Sequence, residues 1–163
     1  MSMRRSSLEV FCIVGLVVLG CFGCSGLIGS SADDARASSA KAAREAAERS
    51  LKRIREELLI SPVAPGVVQK VLDDIKVGEV TEVGIIGSSM DPAGIFLADM
   101  SFVAITAAGG GGDYVQKAVR LCVRYSGTVG PMGRVEIIDL TCPAGLPSSV
   151  KNLPVESTTT LGG

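Results

Sequence analysis

Histidine and tryptophan are both missing from this 163-residue chain. The first absence removes the commonest general base and the commonest metal ligand near neutral pH. A surplus of either charge is missing too. Sixteen basic residues stand against 17 acidic ones, so no global field draws the chain to nucleic acid. Charge is locally absent as well: none falls between Glu9 and Asp33, whereas thirteen charged residues crowd the stretch from Asp33 to Glu57. Gly and Pro, for their part, are absent from residues 34–59, which leaves nothing there to break a helix. The length allows one domain with appendages.

Arg4 and Arg5 precede the apolar run, which is the layout of an export signal or signal anchor. The uncharged residues 10–32 number 23. As a helix they would extend roughly 34 Å, enough for a hydrocarbon core of about 30 Å. Residues 1–9 then read as a cytoplasmic segment, residues 10–30 as a membrane anchor or signal, and everything after them as extracytoplasmic. The lipid bilayer is thus an expected partner. Within the run, "VLGC" ends on Cys21 behind the small Gly20, an alternative reading in which cleavage leaves Cys21 as the lipid-bearing residue of a lipoprotein. If the run stays uncleaved, Cys21, Ser25 and Gly29 form a small ridge suited to pairing with another membrane helix, of this chain or of another envelope protein.

Residues 31–60 predict a helix. Ser31 with Asp34 forms a capping-box pattern, and opposite charges recur four apart at Lys41/Glu45, Glu45/Arg49, Lys52/Glu56 and Arg53/Glu57, among others. The apolar stripe Ala40, Ala43, Ala47, Leu51, Ile54, Leu58 carries large side chains only toward its end. It predicts a long charged stalk of about 40 Å, solvated except where its last turns dock on the domain that follows.

That domain is expected over residues 61–147. "SPVAPG" ends the stalk, and Val67, Val68, Val71, Leu72 and Ile75 share one face of a short helix. Strand-like runs follow at 79–86, 95–107, 114–125 and 134–141, divided by Gly-rich turn sequences. The fold class predicted is α+β: a meander of about four antiparallel strands with one or two covering helices. Residues 148–163 are too poor in apolar side chains for a core and read as a disordered tail.

In this small domain, on the far side of a membrane, Cys122 and Cys142 read as a disulfide. A hairpin centred near Gly130 does not place them opposite each other, so a bulge or shifted turn is expected. No metal site or cofactor is predicted. Arg120 and Arg124 lie on one face of the third strand, a solvated sheet face where a partner would be bound. "GGGGD" at 109–113 lacks the Lys-Ser/Thr of a phosphate loop and reads as a hairpin loop. "GSSMD" at 87–91 lacks the second Gly and the His of a nucleophile elbow; a hydrolase built on Ser88 or Ser89 stays an alternative.

The outline is similar to type IV pilins and pseudopilins: an apolar N-terminal run, a long helix, an antiparallel sheet and two late cysteines. "SSLEVFCIVGLVVLG" places Glu9 just before the apolar run, as such proteins place an early acidic residue. The resemblance implies an assembly subunit. The Gly/Ser cluster at 23–31 predicts a break between the apolar run and the charged helix. The main functional expectation is a membrane-anchored, extracytoplasmic, non-enzymatic binding or assembly module of a bacterial cell envelope.

Overall fold

The computed structural model describes residues 27–75, 81–110 and 113–163; the predicted cytoplasmic segment, most of the membrane anchor and Cys21 lie outside these residues. No helix among the described residues is long and apolar enough to cross a membrane.

The chain forms α1 (Leu27–Leu58), α2 (Val67–Asp73), β1 (Thr81–Met90), β2 (Ile95–Gly110), β3 (Asp113–Thr128), β4 (Val135–Asp139), β5 (Ser149–Val150) and β6 (Leu153–Thr159). The two helices accompany a nearly barrel-like sheet of six strands. This corrects the predicted fold class, which had a projecting stalk, about four strands and a disordered tail.

α1 is no stalk. Ala35, Ser39, Ala43, Ala46, Ala47, Ser50, Ile54 and Leu58 recur at helical spacing and are all buried against the sheet. Small side chains are the means of docking here: they bring the helix backbone close to the strands, and the sheet supplies the bulk. Phe96, Met100 and Phe102 of β2 and Leu121, Val123 and Tyr125 of β3 fill the space beneath the helix. Burial of side chains this size contributes roughly 1.5–3 kcal/mol each.

Polar contacts complete the seam. Ser39 Oγ donates to the Lys117 carbonyl at 2.8 Å, Thr106 Oγ1 donates to the Ala35 carbonyl at 2.8 Å, and Tyr125 Oη donates to the Ala47 carbonyl at 2.8 Å. At the other end Arg55 donates twice to the Val135 carbonyl. The outer face keeps its predicted ion pairs at Lys41–Glu45, Glu45–Arg49, Lys52–Glu56 and Arg53–Glu57. The helix is already formed at Leu27, so Ser31 and Asp34 do not mark its start, and Gly29, Ser30 and Ser31 lie inside it.

β1, β2 and β3 pair antiparallel, with a register shift between Ile85 and Gly87. Two strands then share the outer edge of β3. β4 runs antiparallel along residues 123–127, while β6 runs parallel along residues 118–121. β5 and β6 are joined through Lys151 and Asn152, both at positive φ, a two-residue hairpin turn. Residues 148–163 are thus not a tail: Leu161 packs on the helix-side core, and its amide donates to Asp139 Oδ1 at 2.7 Å. Their low apolar content misleads because strand addition recruits backbone hydrogen bonds, which no hydropathy pattern records.

Candidate functional site: the strapped face of the sheet

Alternation on β2 and β3 sends Asp99, Ser101 and Val103 to the face away from α1, beside Arg124, Cys122 and Arg120. The chain leaving β4 crosses this face. The Leu140 amide donates to the Cys122 carbonyl, and two residues later Cys142 forms a disulfide with Cys122, at a Cα–Cα distance of 5.3 Å. Neither a bulge nor a shifted turn is involved. β4 has ended at Asp139, opposite Val123, and the bond is made by the chain as it turns back over the sheet. Residues 143–148 then form a strap across the face, anchored at one end by the disulfide and at the other by the short strand β5.

Val150 of β5 packs with Val103 and Ala118 in a second small core beneath the strap. The end strands β1 and β5 of the curled sheet thereby approach without pairing, and a cavity of about 190 Å³ lies in the gap. Glu82 and Gly84 of β1 form one wall and Leu146, Pro147 and Val150 the other; Ser101, Val103 and Arg120 are its floor. Gly84 stands opposite Ser101, and a Cβ placed on it would lie 2.9 Å from Ser101 Oγ. The space thus exists where a glycine and a serine face each other across β1 and β2.

Arg120 is buried in this arrangement. It is only 8% exposed, and its Nη2 donates to the Pro147 carbonyl. Its Nε is buried with no hydrogen-bond partner, and no carboxylate among the described residues lies within ion-pair distance of it. Arg124, by contrast, is engaged: Nε and Nη2 donate to the two carboxylate oxygens of Asp99 at 2.6 and 2.7 Å. That bidentate pairing raises the Arg124 pKa above its ordinary value, through the hydrogen bond first and the charge of Asp99 second.

The predicted binding pair is therefore split. Arg120 and Arg124 do share a face, but the face is not open. The strap buries the first arginine, and Asp99 neutralises the second. Glu82, Gly84 and Ser101, which complete the cavity, carry no local motif; only the pairing register brings them to Arg120. Of the other sequence candidates, Ser88 Oγ donates to Gln69 Oε1 at 2.7 Å, and Gln69 Nε2 in turn donates to Asp73. Gly109 and Gly110 close the β2–β3 hairpin. No group of metal-binding side chains occurs among the described residues. No family model, curated protein or solved structure matches this chain.

Proposed function

We propose that the chain is a membrane-attached, extracytoplasmic, non-enzymatic binding or assembly module of a bacterial cell envelope, with its contact site on the strapped face. The observation that carries this reading is the Cys122–Cys142 disulfide at the root of the strap. Disulfides of small domains persist in oxidising compartments, and the Arg4/Arg5-led apolar run reads as the means of reaching one. A single buried guanidinium in a small cavity, with Ser88 held by Gln69 on the opposite face, supports capture of a ligand rather than turnover of one. The test is fractionation of the native host with protease added to spheroplasts. Membrane recovery and digestion from outside are expected; a protein recovered from the cytosol and protected from protease would end the reading.

A second reading, as a pilin-like assembly subunit, is favoured by one observation. The long helix runs through Gly29, Ser30 and Ser31, where a break is expected from sequence, and lies along the antiparallel pair β2 and β3. Under this reading Glu9→Ala prevents incorporation into a larger assembly; unaltered incorporation of that variant would dismiss it.

A further inference from the structure

We infer that the cavity between β1 and the strap is a binding site for the carboxylate of a small aliphatic ligand, with Arg120 as the residue that receives it. The inference rests on the reading of the chain as a binding module and names the ligand class of the same face. A guanidinium carries five N–H donors. Among the described residues one nitrogen of Arg120 is engaged, by Pro147, while Nε is buried without a partner. A buried cation with no counter-charge is unfavourable, and a carboxylate meeting it in a fork of hydrogen bonds is the anion that its planar donors fit best.

Size and walls narrow the class. About 190 Å³ is below the range of sites that enclose drug-sized molecules, roughly 300–1,000 Å³, so the ligand is small. Val103, Leu146 and Val150 offer it an apolar surface, and the Ser101 hydroxyl lies on the floor. Glu82 adds a discriminating feature. Glu82 pairs with Val103, and Val103 with Arg120, so acid and base flank one valine on adjoining strands. Their Cα atoms are roughly 10 Å apart, two strand spacings. A dianion would meet Glu82 unfavourably, whereas a monocarboxylate, with or without an ammonium group for Glu82, would not.

The experiment is calorimetric titration of the full-length chain in detergent micelles with 3-methylbutanoate, with valine (the same skeleton bearing an ammonium group) and with the neutral 3-methylbutanamide. Saturable binding of at least one carboxylate is expected, with the amide weaker by about tenfold or more because it cannot make the charge-assisted bonds. Valine binding more tightly than 3-methylbutanoate, with the preference lost in Glu82→Gln, would identify an amino-acid source. Equal binding of the two would identify a simple acid, and both results support the site.

Arg120→Lys keeps the charge but not the fork, and should weaken binding by about tenfold. Should that variant fail to fold, Gly84→Ala narrows the cavity from the β1 wall toward Ser101 with the guanidinium intact and should weaken binding likewise. Absence of saturable heat with both carboxylates would overturn the inference, as would unaltered affinity in a folded Arg120→Lys or Gly84→Ala protein. Neither result depends on where the protein resides. Failure here therefore leaves the spheroplast result standing, and failure there leaves this one.

Discussion

On the helix side of the sheet, Phe96, Met100, Phe102, Leu121 and Tyr125 lie under a helix whose contacting residues are Ala, Ser, Ile and Leu. On the other side of the same strands lie an ion pair, a disulfide, a buried arginine and a cluster of three buried aliphatic residues. The helix side is sealed by shape, since large sheet residues meet small helix residues across a long seam. The strap side is closed by a few discrete links, and between them a cavity remains. One side of the sheet can thus supply most of the stability while the other is left free to present chemistry, a division common where a binding face is carried on a rigid scaffold.

Substitutions that act on one side only should separate these roles. The largest effect is expected on the helix side. Phe102→Ala leaves a cavity beneath α1 and should cost about 3–5 kcal/mol in chemical denaturation; a loss below about 1 kcal/mol would mean that α1 is not docked there. Next comes the strap. Replacing Cys122 and Cys142 together by Ser opens a link spanning a sequence separation of 20, and should cost about 2–4 kcal/mol. Hydrogen exchange should then rise at residues 143–148 and stay low along α1. Equal acceleration on both sides would break the comparison.

Tyr125 gives a smaller effect with a pH signature. Burial holds the phenol neutral and raises its pKa well above the ordinary value of 10.0. In the unfolded chain the phenol ionises near that ordinary value. Stability from the neutral ring is therefore complete below pH about 10, and falls by about 1.4 kcal/mol per pH unit as pH rises above it toward the folded value. Tyr125→Phe should cost about 1 kcal/mol at neutral pH by losing the bond to the Ala47 carbonyl, and should flatten the alkaline limb of a pH–stability curve. A limb as steep as before would assign the alkaline loss to another group. The smallest change is expected from Asp99→Asn. Both partners of its ion pair are partly exposed, so the melting temperature should barely move. A large drop would show that the strap side carries more stability than its links suggest.

Much of this arrangement is legible in the sequence where periodicity speaks directly. The alternation of Val115, Val119, Leu121, Val123 and Tyr125 identifies the helix side of β3, and the spacing of Ala43, Ala47, Ile54 and Leu58 identifies the inner stripe of α1. What the stripe does not disclose is how much it buries. Alanine looks insufficient until the phenylalanines it packs on are known, and they are some fifty residues away in sequence. The strap is less legible still. Residues 148–163, which follow it, have the composition of a tail, yet they pair in parallel with β3 after a covalent link made earlier in the chain. Arg120 and Arg124 are alike in sequence, yet one is buried and the other neutralised because Pro147 and Asp99 reach them from distant segments.

The central claim, an extracytoplasmic domain attached to the membrane with its strap covalently fixed, is tested most directly by the intact mass of the native protein extracted from membranes, followed by non-reducing peptide mapping. A single linked peptide pair containing Cys122 and Cys142 is expected. Also expected is an N-terminus that either retains Arg4 and Arg5 or begins at a Cys21 bearing a diacylglyceryl mass; the first would make residues 10–30 an uncleaved anchor, the second a lipoprotein signal. Free thiols at both Cys122 and Cys142, in a protein with an unmodified N-terminus beyond residue 26 and no membrane-bound form, would contradict it.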